Sequence, residues 1–184
     1  MMNKGIDIWL KEGRQSKITL KIKEICSKFK VDGLEKIFQI LNWIDKNISE
    51  EKNRKKVLSI FATRTTDQII HDKKDTGCHD TTLLLVTFLR AVGIPAKYLL
   101  GIDKISPRRG GHCVAEAYIG GRWILIDPSY FQLNLIPSRS SFYKDNYIVK
   151  KGLDSWDCGV KTVEDWESIS KILVKKINKN LIKK

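Results

Sequence analysis

The chain has 184 residues, of which 42% are hydrophobic and 30% charged, the proportions of an ordinary soluble globule long enough for one domain with a real core. Neither its start, Met1-Met-Asn-Lys-Gly-Ile-Asp-Ile-Trp-Leu10, nor any later stretch approaches the apolar run of a secretory leader or the roughly 18 to 20 apolar residues of a membrane span, so a cytoplasmic protein without a membrane partner is expected. The formal charge of +13 would reward phosphate contacts. However, the lysines are spread along every amphipathic stretch and thicken only at the carboxyl end (Lys171, Lys175, Lys176, Lys179, Lys183, Lys184). With no nucleic-acid motif present, the charge reads as solvated surface, and no specific nucleic acid is expected as a partner.

Residues 16–29 carry Ile18, Ile22, Ile25 and Phe29, and residues 34–48 carry Leu34, Ile37, Phe38, Leu41, Ile44 and Ile48. Both sets lie at helical spacing and predict core-facing helices separated by Gly33. A shorter helix is expected around Lys55 to Phe61, and Thr66 before Asp67-Gln-Ile-Ile70 reads as a capped single turn. A polar loop, His71 to Gly77, then leads to Cys78.

From Cys78 the pattern Leu83, Leu84, Val86, Thr87, Leu89, Arg90 predicts a buried helix of about four turns, stopped by Gly93 and Pro95. Cys78 sits at its amino end, where unpaired N–H groups and the positive end of the helix dipole favour a thiolate. The other cysteines, Cys26, Cys113 and Cys158, are expected to be free thiols in a reducing compartment. Cys26 and Cys158 read as packing residues, since buried cysteine is usually inert.

Lys97-Tyr-Leu-Leu-Gly-Ile102 and Cys113-Val-Ala-Glu-Ala-Tyr-Ile119 have strand character, and Gly120-Gly121 joins the second to Arg122-Trp-Ile-Leu-Ile126 as a hairpin. Ser106-Pro-Arg-Arg-Gly-Gly111 is a mobile loop between the first two strands. Asn146-Tyr-Ile-Val149 predicts a further strand, and Thr162-Val-Glu-Asp165 caps a last helix through Trp166, Ile169, Leu173 and Ile177. No linker or repeat divides the chain. A single domain over 1–184 is expected, with a helical part at about 1–65, a core at about 66–150 and a carboxyl-terminal helix at about 162–182.

A two-residue turn at Gly120-Gly121 fixes the hairpin register, because Ile119 pairs with Arg122 and every pair then sums to 241. One face carries His112, Val114, Glu116, Tyr118, Trp123, Leu125 and Asp127, and the other Cys113, Ala115, Ala117, Ile119, Arg122, Ile124 and Ile126. Asp127 lies opposite Val114, one diagonal from His112, at about 7 to 8 Å or less. Glu116 shares that face but stands roughly 13 Å along the strand. It reads as an ion-pair group, with Arg90 as the candidate partner. Cys113 points away from His112 and is not expected to share its site.

A cysteine at a helix start, a histidine at a strand start and an aspartate at the end of the paired strand are the parts of thiol acyl transfer. Cys78 is the nucleophile, His112 the base and Asp127 the residue that orients the imidazole. The Cys78 N–H is a natural oxyanion donor, with Gln68 and Trp43 as upstream candidates for a second.

Gly77-Cys78, Leu89-Arg-Ala-Val-Gly-Ile-Pro-Ala96, His112-x-x-x-Glu116 and Trp123-x-x-x-Asp127-Pro128 together resemble the transglutaminase-like superfamily, over about residues 66 to 130. The resemblance implies an α+β fold with a papain-like core, the nucleophile helix packed on an antiparallel sheet. It also implies a Cys78–His112–Asp127 triad. Two positions depart from the family pattern: Val114 stands where an aromatic is common and is expected to face the cleft, and His79 directly follows the nucleophile. The expected activity is cysteine-dependent amide acyl transfer, to an amine or to water. The alternatives are a protease, amidase or deamidase that only hydrolyses, and a catalytically silent binding module of this fold. The substrate is expected to be a protein or peptide offering an amide, and the chain a monomer.

Beyond the triad, Gln68, Trp43, His79, Arg108, Arg109, Val114 and Trp123 are candidate substrate-binding residues, with Arg108 and Arg109 placed to steer acidic substrates. No cofactor or metal is expected. Cys78, His79, His112, Cys113 and Asp127 lack the C-x2-C spacing of structural zinc sites, and adjacent side chains on a strand diverge. No D-x-D-x-D-G loop suggests calcium.

Overall fold

The computed structural model describes residues 4–107 and 110–181. A short helix α1 (Lys4–Asp7) precedes α2 (Leu20–Cys26), α3 (Gly33–Asn47), α4 (Arg54–Ile60) and α5 (Thr66–Asp72). The two-residue strands β1 (Ser49–Glu50) and β2 (Lys74–Asp75) pair in parallel, tying the end of α3 to the segment before Cys78. Helix α6 (Cys78–Ala91) follows, then strands β3 (Ala96–Asp103), β4 (Gly111–Ile119), β5 (Arg122–Asp127) and β6 (Gln132–Asn134). Helix α7 (Ser141–Asp145), strand β7 (Asn146–Gly152) and helix α8 (Val163–Leu181) complete the order. The five longer strands form one antiparallel sheet in the order β6-β5-β4-β3-β7.

Helix α6 is the centre of the packing, since every residue from Thr82 to Arg90 is buried. Leu83, Leu84, Val86 and Phe88 share one core with Ile22 and Ile25 of α2, Ile37, Leu41 and Ile44 of α3, and Cys113, Ala115, Ala117, Ile124 and Ile126 of the hairpin. Apolar side chains all round a helix require partners on all sides, and here helices cover one flank and the sheet the other. The outer sheet face holds a smaller cluster of Leu99, Val114, Leu125 and Phe142. The architecture is therefore the expected α+β one, with the helix that begins at Cys78 packed on an antiparallel sheet.

The hairpin has the expected register, with Ala115 opposite Ile126 and Ile119 opposite Arg122. Several local details differ from expectation. Helix α2 starts only at Leu20, capped by Thr19, because the chain bends at Gln15 and Ser16, whose N–H groups bond Asp154 Oδ2 at 3.0 and 3.2 Å. The cap of α5 is Thr65 rather than Thr66, in a reciprocal capping box with Gln68, and the helix runs on to Asp72. The stretch expected as loop contains β2. Strand β6 was not anticipated; its three residues are too few for a period-2 pattern.

Gly77 delivers the chain into α6 with φ +100° and ψ −151°, a region essentially restricted to glycine. An added Cβ would meet nothing within 4 Å, so the penalty of a side chain here is backbone strain alone. Gly77→Ala is expected to cost about 1–3 kcal/mol, read as a lower denaturation midpoint at unchanged slope.

Candidate active site

Cys78 is the first residue of α6 and is half-buried. Its own N–H is among the donors that a helix start leaves unpaired. Behind it, the turn is locked by Asp80, whose Oδ2 accepts from Thr76 N and Thr76 Oγ1, both at 2.9 Å, and from Arg64 Nη2 at 2.5 Å. Asp80 is completely buried and Arg64 nearly so, and Arg64 also reaches Asp72 at 3.0 Å. A carboxylate in the first turn also suits the helix dipole.

His112 lies at the start of β4, just beyond the point where β4–β5 pairing ends at Ala115–Ile126. Its Nε2 is 2.6 Å from Asp127 Oδ2, and Asp127 Oδ1 accepts from Ser129 N at 3.1 Å. That leaves Nδ1 for Cys78. Burial opposes charging of the ring, but the hydrogen bonds to Asp127 and Cys78, with the charges of both, push the His112 pKa up to about 10. The Cys78 thiol is held well below its ordinary value, first by a hydrogen bond from the Cys113 side chain and, against burial, by the hydrogen bond and positive charge of His112. Burial pushes Cys26 and Cys158 up to about 12 and Cys113 well above its ordinary range. Cys78 thus stands apart from the other three thiols, with the lowered pKa that favours a thiolate.

Cys113 corrects an expectation. It does point to the opposite face from His112, into the core beneath α6, yet both lower the pKa of Cys78. Cys78, at the start of α6, lines one hollow with His112 and another with Gly111 and Cys113. Thr82 Oγ1 fixes this docking by donating to the Cys113 carbonyl at 3.0 Å. The Cys113 backbone N–H also contributes to the lowered Cys78 pKa.

Two hollows meet at Cys78. The larger, of about 660 Å³, is lined by Ile44, Asp45, Glu50 and Asp75 on the helical side and by Ser129 and Tyr130 after β5, together with Cys78 and His112. The smaller, of about 260 Å³, shares only Cys78 with it and includes Cys113 and His79. Among the described residues no three His, Cys, Asp or Glu side chains gather as a metal site.

The remaining sequence candidates are dispersed. Gln68 is committed to the α5 capping box, and Trp43 packs edge-on against Phe88 at 5.1 Å; neither lines the hollows at Cys78. Val114 does not face the cleft: it is fully buried in the outer cluster with Phe142. Trp123 lies at the turn end of the hairpin against Tyr118 and Trp9, with Lys97 Nζ 3.4 Å over its ring. Glu116 is an ion-pair group, but its partners are Lys151 at 2.9 Å and Lys97 at 3.3 Å. Arg90 is occupied with the carbonyls of Ala96 and Trp9 and with Ser16 Oγ. Arg108 and Arg109 lie outside the described residues; the described walls of the larger hollow carry carboxylates instead. His79 is buried with Nδ1 2.9 Å from Tyr98 Oη, and burial lowers its pKa.

Comparison with solved structures finds the same fold in a candidate cysteine protease from Cytophaga hutchinsonii, at a TM-score of 0.65 and 24% identity over 85% of this chain and 50% of that one. The chain therefore spans about half the length of that protein. Weaker likenesses join it to a candidate protease from Parabacteroides distasonis (TM-score 0.44, 18% identity, 72% of this chain and 30% of that one) and to a TGase (TM-score 0.45, 16% identity, 77% and 37%). No curated protein matches the chain. The sequence profile of the transglutaminase-like superfamily matches residues 22–128, more than half of the chain, from within α2 to just past the end of the hairpin. The chain belongs to the transglutaminase-like superfamily.

Proposed function

We propose that the chain is a cysteine-dependent enzyme that transfers the acyl group of a protein or peptide amide through a thioester, with Cys78 as nucleophile, His112 as acid and base, and Asp127 as the residue that orients the imidazole. The observation that carries this reading is the 2.6 Å contact of His112 Nε2 with Asp127, which leaves Nδ1 to serve Cys78 on the wall of an open cleft.

The Cys78 thiolate attacks the amide carbonyl, and the oxyanion forms against the Cys78 N–H at the helix start. Imidazolium Nδ1–H of His112 protonates the departing amine, and a thioester remains on Sγ. Water or a second amine then attacks the thioester while His112 takes its proton. Asp127 keeps the proton of Nε2 in place and offsets the imidazolium charge through both halves of the cycle.

The test is a screen of peptide libraries for ammonia release, peptide cleavage and amine incorporation, run beside Cys78→Ala. Cys78-dependent product in any channel supports the reading, and the channel names the acceptor. Product that persists in Cys78→Ala, or none from the native chain, sinks it.

A further inference from the structure

The smaller hollow beside Cys78 has a composition unlike the cleft. Its walls include Leu58 of α4 and Phe61 just after it, Val163 and Trp166 from α8, and Gly111 at the start of β4. Phe61 stands edge-on to Trp166 at 6.3 Å and lies 5.0 Å from the His79 ring, so three rings form a continuous lining. His79 adds no charge, because burial holds its imidazole in the neutral form, and its Nε2 has no hydrogen-bond partner. Gly111 is required by this arrangement: a Cβ there would stand 2.0 Å from Trp166 Cζ2. The position immediately before His112 is thus kept bare so that the indole can lie against the strand. Val163 and Trp166 come from beyond residues 22–128, the part matched by the superfamily.

We infer that this slot is a substrate subsite that takes one uncharged apolar side chain, of the leucine or phenylalanine class, from a residue adjoining the amide that Cys78 attacks. The inference rests on the proposed reaction and names its substrate preference. The slot's volume of about 260 Å³ falls below the 300–1,000 Å³ typical of pockets for whole small ligands, which suits one side chain. Cys78 lines both hollows, so a peptide lying in the cleft with its carbonyl at the sulfur has a neighbouring side chain within reach of the slot. The lining holds no Lys, Arg, Asp or Glu, and its polar atoms include the reacting Cys78 sulfur, the Cys113 thiol and the single His79 Nε2, so a charged side chain would lose its hydration there without a dedicated counter-ion. The carboxylates of the cleft, Asp45, Glu50 and Asp75, line the other hollow.

The test uses N-acetyl-X-glycyl chloromethyl ketones, with X as Leu, Phe, Ala, Lys or Glu, on the full chain. The Cys78 thiolate displaces chloride from the methylene carbon, forming a C–S bond and releasing chloride ion, so the rate reports placement of X without amide turnover. Leu and Phe reagents are expected to alkylate Cys78 about tenfold or more faster than the Ala, Lys and Glu reagents, the usual scale for side-chain discrimination by an apolar pocket. Leu58→Glu puts a carboxylate at the mouth of the slot, and Leu58 is 52% exposed, so the fold tolerates it. This variant is expected to reduce the preference to about threefold or less, on the same scale. Equal rates for all five reagents, or a preference unchanged in both Leu58→Glu and Trp166→Ala, overturn the inference. Apolar preference without Cys78-dependent turnover of any amide would remove the proposed reaction and leave the slot; turnover with a flat preference would do the reverse.

Discussion

Cys78→Ala and His112→Ala are each expected to reduce amide turnover by on the order of 10⁶-fold, with the double variant no worse than either, because a nucleophile and its base act as one unit. The measurement is the rate of Cys78-dependent product formation on whichever peptide the library screen selects. Losses that instead multiply in the double variant would show that the two side chains act independently. Thiol reactivity separates their roles. In the native chain the lowered Cys78 pKa and the His112 pKa near 10 leave a thiolate and an imidazolium together across neutral pH. Such a pair titrates as a pair. Alkylation by iodoacetamide is therefore expected to be flat through neutral pH and to fall only as pH drops through the lowered thiol value. Turnover should fall additionally on the alkaline side near pH 10, where the general acid is lost. His112→Ala removes one hydrogen bond and one positive charge from the sulfur, so its alkylation profile should move to higher pH. The bond from Cys113 remains, so the thiol should not return fully to its ordinary range. An unchanged profile in His112→Ala would contradict the ion pair.

The largest expected effect on stability lies behind the site. Arg64→Met leaves the fully buried Asp80 carboxylate without its cation, which should cost about 3–5 kcal/mol, the usual penalty for breaking a buried pair from one side. The two hydrogen bonds from Thr76 to Asp80 and the start of the α6 dipole would then have to hold the charge. The measurement is equilibrium denaturation of Arg64→Met, Asp80→Leu and the double variant. The double variant should recover part of the loss, because an apolar pair carries no unpaired charge. Additive losses would mean that Arg64 and Asp80 act separately. Since Asp80 locks the turn that presents Cys78, thiol alkylation in Arg64→Met should also lose its plateau at neutral pH.

Much of this was legible in the chain because it is local. The glycine pair at 120–121 fixes a register, and the register decides that Asp127, not Glu116, can meet His112. Helix α6 follows from its apolar run and its stop signal. Other features depend on elements distant in sequence. Val114 is on the face that the alternation assigns, but that face is covered by Phe142 from α7, and nothing near Val114 signals such a cover. Cys113 shares a hollow with Cys78 because of where α6 begins over the sheet, a matter of helix placement that alternation along a strand does not contain. Arg64 with Asp80, and α8 against Phe61, are likewise pairings of tertiary origin.

The Asp154 clasp carries a consequence for synthesis. Its Oδ2 accepts from the N–H groups of Gln15 and Ser16 and from Ser16 Oγ, across 139 and 138 residues of chain. The ribosome adds about 5–20 residues per second, so those early amides wait several seconds for their partner. Cys78, His112 and Asp127 are all made before it, and Val163 and Trp166 after it. A growing chain therefore carries Cys78, His112 and Asp127 before the Asp154 clasp can close, and the wall supplied by α8 arrives only after that clasp.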